Sequence, residues 1–316
     1  MPSVRPTFAT ACAEAANWPL PGGGASGRRF ELLADGARRD LVLGRLVEAH
    51  ADALAILAEL AGTDPGDAGA AGRWAVWAAG PPTSLQAVRA AHGWSVRGVK
   101  HWCSGATLCT HALVDAATDQ GQQLLAVDLS QPGVSVHYAD WVGHGMSGTD
   151  TRTVELRDVP ADGVGPPGAY LDRPGFWMGA IGVAACWHGG TVAVADTLRR
   201  AAATKSDTHV LVHLAAVHVA LEQNRALLVD AARRLDAAPQ ADHAVLARTV
   251  RAAVERNAVS VIDRVGRALG PGPLAHDGRH AGLVADLQVY VRQHHAERDL
   301  EQLGADLLAG GSPWLD

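Results

Sequence analysis

Apolar residues recur along the chain with two different periods. Over residues 28–60 they return every three or four positions, as on one face of a helix, with Leu43, Leu46 and Leu54 among them. This spacing predicts one long helix. The segment 62–72 that follows is rich in Gly, Asp and Pro, which favours turns and indicates a boundary.

Short runs with β-forming residues occupy the chain from about Trp74 to Val159, separated by Gly, Pro and Asp. This pattern predicts a compact sheet domain. Within residues 93–102, Arg97 and Gly98 stand between two β-prone arms, and glycine supplies the positive φ that a tight turn requires. We therefore expect a hairpin whose two arms pair with each other.

Long segments rich in Ala and Leu follow Gly175 and have the length of helices. They predict four helices over residues 175–203, 207–236, 241–269 and 279–308. Asp207 and Asp242 are placed to cap two of them, and Pro239 and the Gly-Pro-Gly-Pro segment 270–273 are placed to end two. The chain is therefore expected to be an α+β protein with N-terminal helices (1–69), a middle β domain (70–168) and a C-terminal four-helix bundle (169–316).

The composition of the chain argues against several classes of protein. The 316 residues include 33 acidic and 27 Lys and Arg side chains, a net charge of −6, which argues against nucleic acid or an anionic membrane as the main partner. No apolar run reaches the roughly 20 residues of a membrane helix, and no secretory signal is recognised, so a cytoplasmic protein is expected. The four cysteines form no CxxC pair, and we expect reduced thiols.

Three stretches together resemble the acyl-CoA dehydrogenase flavoprotein family. They are GWSVRGVKHWCSGA at 93–106, GMSGTDTRTVELRDVPADGV at 145–164, and the helices after Gly175. The resemblance implies that family's fold: N-terminal helices, a middle β domain and a C-terminal four-helix bundle. It also implies a homodimer or homotetramer, or assembly with a homologous subunit.

The resemblance further implies an FAD held between the sheet domain and the bundle. Trp102, Cys103, Ser104 and Gly105 would lie against the flavin ring, since a planar ring needs an aromatic or apolar wall and donors at its polar edge. From residue types alone, the alternative is that Trp102 is a core aromatic and that Ser104 caps a turn.

The cofactor pyrophosphate is expected near a glycine-rich turn, which here is represented by Gly270 and Gly272. The prolines between and after them remove backbone donors. Two other segments depart from the family pattern: residues 205–210 read KSDTHV in place of an Arg and Phe-Gly segment, and residues 80–84 shorten the loop before the predicted hairpin.

The family's catalytic base is a glutamate that removes the proton alpha to a thioester carbonyl. Counting along the last helix, that position falls at His294, with His295 and Glu297 close by. Helical spacing would place His294 on one face with Leu287 and Val291, and an imidazole accepts a proton near neutral pH. The alternative is that these residues form a solvated, salt-bridged turn.

Three functions are therefore considered. The first is an FAD-dependent oxidoreductase acting on an acyl thioester or a related small molecule, with His294, His295 or Glu297 in the catalytic position. The second is a flavin monooxygenase or oxidase, because the missing glutamate removes the dehydrogenation base. The third is a non-catalytic subunit that binds a protein through its bundle. His209 and His213 are four residues apart, but without a third ligand we assign no metal site.

Overall fold

The structure is a computed structural model that describes residues 4–78, 85–137, 141–204 and 207–310. The segment 80–84 and the first two residues of KSDTHV lie outside these ranges. The described helices are α1 (Val4–Ala15), α2 (Ser26–Arg39), α3 (Leu41–Ala61), α4 (Pro65–Ala71), α5 (Ala169–Asp172), α6 (Gly175–Ala202), α7 (Thr208–Ala237), α8 (Ala244–Leu269), α9 (Gly272–His276), α10 (Gly278–Tyr290) and α11 (Glu297–Gly310). The described strands are β1 (Trp74–Trp77), β2 (Leu85–Arg89), β3 (Trp94–Cys103), β4 (His111–Thr118), β5 (Gly121–Asp128), β6 (Val134–Val136) and β7 (Arg152–Gly163).

The chain divides into two compact units. The sheet unit comprises Met1–Trp18, Arg45–Gly143 and Ser147–Phe176, and the helical unit comprises Pro19–Gly44, His144–Met146 and Trp177–Asp316. The α+β class, the middle β domain and the C-terminal helices expected from the sequence are confirmed. The three domain bounds given above stay a prediction.

The sheet unit is built on one sheet that closes on itself. Its strands follow the order β1-β4-β2-β3-β7-β5, β5 also pairs with β4, and β6 is added to β7. Alternate residues along the strands point inward, and Trp94, Leu125 and Leu156 are among those that fill the core. This alternation is why the β-prone runs of the sequence became strands.

The predicted hairpin at Arg97 and Gly98 is wrong. β3 runs unbroken from Trp94 to Cys103 and pairs with β2 on one side and with β7 on the other. Gly98 does have a positive φ of 128°, but it lies at a register shift between Val96 and Gly98 in the pairing with β7. The glycine therefore makes a β-bulge rather than a turn.

The single helix predicted over residues 28–60 is also wrong, because the chain breaks at Asp40. This residue is extended, with φ −151° and ψ 110°, and it separates α2 from α3. Its carboxylate accepts a hydrogen bond of 2.9 Å from the Leu43 amide, one of the unpaired donors at the start of the second helix. Asp40 therefore ends α2 and caps the start of α3, so that the segment forms two helices instead of one.

The segment 62–72, expected to consist of turns, contains α4. Asp64 caps this helix by accepting from the Gly66 amide at 2.8 Å, and Pro65 occupies the first turn, where its missing N–H costs nothing. Ala68 is buried, and its carbonyl accepts from the Trp74 indole at 2.8 Å. Asp and Pro are common both in turns and at helix starts, which explains the error.

In the helical unit, α6, α7 and α8 match the first three long helices predicted for the bundle. Asp207 accepts from the His209 amide and Asp242 from the Ala244 amide, each at 2.8 Å, as expected of capping residues. The fourth predicted helix is wrong as a single element. It is divided into α10, a short 3-10 turn at Val291–Gln293, and α11.

One described helix, α6, is long and apolar enough to cross a membrane. In its most apolar window 67% of the residues are buried. A core helix of a water-soluble fold has the same properties, so its length and composition do not identify a membrane span.

Candidate functional site

Two loops of the sheet unit lie side by side, one at the end of β3 and one just before β7. Trp102 lies at the first of them with a left-handed backbone, φ 64°, which is uncommon for any residue but glycine. Its side chain is 65% exposed, and its ring meets Trp141 edge to face, with ring centroids 5.8 Å apart. Trp102 therefore does not pack in the core, and the core-aromatic reading fails.

Cys103 points the opposite way from Trp102. The residue is fully buried among the core side chains of the sheet, and its thiol donates to the Lys100 carbonyl at 3.3 Å. Burial raises the pKa of this thiol to about 12, so the sulfur stays protonated. The thiol is therefore part of the sheet core and does not contribute to an exposed surface against which a flavin ring could lie.

Ser104 joins the two loops through a chain of hydroxyl groups. Its Oγ lies 2.8 Å from Oγ1 of Thr151, and that oxygen lies 2.8 Å from Oγ1 of Thr149. The Ser104 carbonyl also accepts from the indole of Trp77 at 2.9 Å. The two threonines were missed by the sequence analysis, although they belong to the Gly-Thr-Asp-Thr part of the second stretch that carries the resemblance.

The backbone around these hydroxyls is held firmly. Gly105 has φ 74° and donates to the Thr149 carbonyl at 2.8 Å. Asp150, also with a positive φ, accepts from both the amide and the hydroxyl of Thr107, at 2.6 and 2.8 Å, and from Arg152 at 2.5 Å. Because both loops are fixed by these bonds, the hydroxyl positions are set before any ligand arrives.

Gly270 and Gly272 lie where α8 gives way to α9 in the helical unit. Gly270 ends α8 with φ 67° and donates to the Gly266 carbonyl at 2.8 Å. Apart from the adjoining residues of the chain, no described atom comes within 4 Å of a Cβ placed at either residue, so the backbone there borders open space. Their predicted contact with a pyrophosphate stays a prediction.

His294 lies at the break between α10 and α11 and is buried, with 3% of its surface exposed. Its Nδ1 accepts from the Ala296 amide at 3.2 Å, and its Nε2 is 3.8 Å from a carboxylate oxygen of Asp299. The helical face expected to carry Leu287, Val291 and His294 is wrong, because His294 is extended and Ala296 has a positive φ. The side chain binds a backbone amide that a continuous helix would have used.

Burial fixes the protonation of His294. It lowers the pKa of the imidazole below its usual value, more than the nearby Asp299 carboxylate raises it, so the ring is neutral near pH 7. Since Nδ1 accepts the Ala296 hydrogen bond, the single proton of the neutral ring belongs on Nε2. The lone pair that a base needs is therefore already engaged.

His295 and Glu297 lie beside this break but are exposed. The His295 amide donates to Asp299 at 3.0 Å, and its Nδ1 is 3.3 Å from the other oxygen of that carboxylate. The solvated turn with an acidic partner describes His295, Glu297 is an exposed charge, and His294 is buried. The structure brings His294 and His295 together around Asp299.

His209 and His213 both belong to α7, and His209 is exposed. Within the described ranges, no three His, Cys, Asp or Glu side chains are grouped so as to hold a metal ion.

Comparison with known proteins shows which family model and which solved structures this chain resembles. Residues 76–159 match the family model of the acyl-CoA dehydrogenase middle domain, which includes both loops described above. No curated protein sequence matches the chain. Glutaryl-CoA dehydrogenase from Mycobacterium smegmatis has a similar structure, with a TM-score of 0.81 and 14% identity over 97% of this chain and 88% of that one.

Two further solved structures have a comparable likeness to this chain. Methanesulfinate monooxygenase MsuC from Pseudomonas fluorescens gives a TM-score of 0.79 at 18% identity, covering 92% of this chain and 84% of its own. PigA with FAD and proline gives 0.79 at 16% identity, covering 94% and 89%. At these identities the likeness establishes the fold, and the fold is shared by dehydrogenases and monooxygenases.

Proposed function

Because the chain is an acyl-CoA dehydrogenase-like protein, we propose that it is a flavin-dependent oxidoreductase with FAD as its cofactor. The observation that carries this proposal is Trp102. A large aromatic side chain is exposed on a strained backbone, next to a fixed row of hydroxyl groups, inside the segment that matches the middle domain. Residues in such sparsely populated backbone conformations cluster at functional sites.

The residues at this edge fit a flavin. The ring is flat and largely apolar, and the exposed face of Trp102 offers it a stacking surface. Its rim carries nitrogen and oxygen atoms, and the Ser104 hydroxyl supplies a hydrogen-bonding group close by. When bound, the flavin supplies the capacity to accept an electron pair from a substrate and to pass it on, chemistry that these side chains do not have themselves.

A dehydrogenase acting on an acyl thioester is the first candidate reaction, in keeping with the glutaryl-CoA dehydrogenase among the structural neighbours. It requires a base for the proton alpha to the carbonyl. His294 stands at the sequence position of that base, and its neutral ring has the right protonation state. To take a proton, however, it must first release the Ala296 amide.

A monooxygenase or oxidase is the second candidate, and the state of His294 favours it. A flavin that reacts with oxygen does not need a base that removes the proton alpha to a thioester carbonyl. This reaction is therefore compatible with a His294 side chain whose acceptor nitrogen is bound to the Ala296 amide. The structural likeness to a methanesulfinate monooxygenase supports this candidate at the level of the fold. The two candidates share the cofactor and differ in the need for His294.

A visible spectrum of the purified protein, before and after FAD is added, tests the proposal. We expect the visible absorption band of a protein-bound oxidised flavin, and we expect it to persist through gel filtration. A protein that stays colourless after incubation with excess FAD would contradict the flavin proposal.

The variant H294N then separates the two candidates, because an asparagine oxygen can still accept the Ala296 hydrogen bond while the imidazole is lost. If His294 is the dehydrogenation base, an acyl thioester bleaches the flavin of the wild type and of the control H295N but not of H294N. If oxygen is the true co-substrate, chemically reduced protein is reoxidised rapidly in air, and H294N behaves like the wild type.

A further inference from the structure

The hydrogen bonds between the hydroxyl groups of the two loops can run in either of two directions, depending on which hydroxyl donates to which. Ser104, Thr151 and Thr149 each carry one hydroxyl proton, and neighbouring oxygens are 2.8 Å apart along the row. A hydroxyl donates one hydrogen bond and accepts up to two. When Thr151 donates to Ser104, the Ser104 proton is left to point away from the chain. When Ser104 donates to Thr151, its lone pairs point away instead.

We propose that Thr151 is a positioning residue for the flavin, acting through Ser104. By donating to Ser104 Oγ, it turns the Ser104 proton outward toward an acceptor on the rim of an oxidised flavin lying at the Trp102 edge. The inference rests on the proposed function and adds to it a residue that the sequence analysis did not assign.

Burial and the surrounding bonds support this role. Thr149 is 98% buried and anchors the inner end of the row, while Ser104 and Thr151 are only partly buried and form its outer end. Among the described residues, Thr151 is the side chain that meets the Ser104 hydroxyl. A serine without such a partner would rotate freely and lose that freedom on binding, which weakens the contact.

The contact between Thr151 and Ser104 also affects the strength of the bond that Ser104 makes at its outer side. Hydrogen bonds in a row polarise one another, so the outer bond is stronger than one made by an isolated serine.

The distance along the chain explains why no sequence pattern pointed to Thr151. Ser104 and Thr151 are 47 positions apart and meet only because β3 and β7 are paired neighbours in the sheet. Each hydroxyl taken alone is an ordinary loop residue.

The test measures FAD binding by T151V, which has nearly the shape of threonine but no hydroxyl. We expect the dissociation constant to rise about fivefold, the usual size for one lost hydrogen bond, and the visible flavin band to shift. T151S restores the hydroxyl and should bind within about twofold of the wild type. T153V is the matched control, because Thr153 lies two residues further along, on β7, and its hydroxyl bonds to His101 rather than to Ser104.

A double-mutant cycle with S104A shows whether Thr151 acts through Ser104. In the S104A background, T151V should change the dissociation constant by less than about twofold. An equal effect with and without Ser104 would overturn the inference, as would a T151V protein that binds and absorbs like T153V. If T151V does not fold, T151A takes its place with the same expected results.

Failure of the inference and failure of the proposed function give different results. A wild-type protein that takes up no FAD removes both. A wild-type protein that binds FAD, with no loss in T151V or no dependence on Ser104, removes only the role of Thr151.

Discussion

Replacing Trp102 with alanine is expected to raise the dissociation constant for FAD at least about tenfold. The indole is 65% exposed, so a flavin stacked on it would cover roughly 100 Å² of apolar surface, worth about 2 kcal/mol. Because few contacts of the free protein are lost, the free energy of unfolding should change by less than about 1 kcal/mol. Titration of FAD, followed by its fluorescence, measures the first quantity, and urea unfolding measures the second.

Two further substitutions at the same position serve as controls. W102F keeps an aromatic face and should recover most of the binding. W102G should bind FAD as poorly as W102A but be about 1 kcal/mol more stable than it, because glycine adopts φ 64° without strain. An alanine variant that binds FAD as tightly as the wild type would show that the ring is held elsewhere.

The sheet unit is expected to lose about 3 kcal/mol of stability between pH 7 and pH 4 through one buried histidine. His50 is fully buried, its Nδ1 accepts from the Trp74 amide at 3.0 Å, and its Nε2 lies 3.2 Å from the Cys12 carbonyl. The amide requires Nδ1 to be the acceptor, so the ring is neutral and Nε2 donates. Burial lowers the pKa of His50 to about 4.

The sign of the effect follows from proton binding. In the unfolded chain a histidine takes up a proton near pH 6.5, whereas folded His50 does so only near pH 4. Its contribution to stability is therefore complete above pH 6.5 and is lost as the pH falls to about 4, because the unfolded state binds the extra proton. The difference between the two pKa values corresponds to the stated 3 kcal/mol.

The variant H50Q measures this contribution, since its amide does not titrate. Urea unfolding at pH 7, 5.5 and 4 should give a decline that is about 3 kcal/mol smaller than in the wild type. H92Q changes an exposed histidine and should retain the full decline. Parallel losses in the wild type and H50Q would mean that another group causes the acid sensitivity.

Local patterning accounts for much of the fold. The alternation of apolar residues that placed β4, β5 and β7 reflects side chains that enter the sheet core, such as Leu125 and Val127. The errors arose where one residue type serves two structures. Gly98 provides a positive φ to a bulge as readily as to a turn, and Asp64 with Pro65 starts a helix as readily as a loop.

The break at His294 had a different cause. The periodicity of residues 279–308 is compatible with one helix, but a buried imidazole that accepts from the Ala296 amide stabilises an extended residue there. Such competition between side chain and backbone depends on tertiary burial, which periodicity does not report.

Some residues of the candidate site could likewise be predicted from the sequence, and others could not. Trp102 and Ser104 were found through a resemblance in a contiguous stretch, and their exposure and bonding emerged only from the structure. Thr149 and Thr151 were not found, because their contact with Ser104 depends on the pairing of strands distant in sequence. Cys103 was placed on the wall by adjacency, while the pleat of β3 turns its thiol into the core.

Hydrogen exchange with and without FAD tests most directly whether the flavin lies at the Trp102 edge. We predict slower exchange at the backbone amides of residues 102–107 and 147–152 in the FAD-saturated wild-type protein, and much less slowing in W102A at the same FAD concentration. A wild-type protein that binds FAD while both of these segments exchange at unchanged rates would contradict the account.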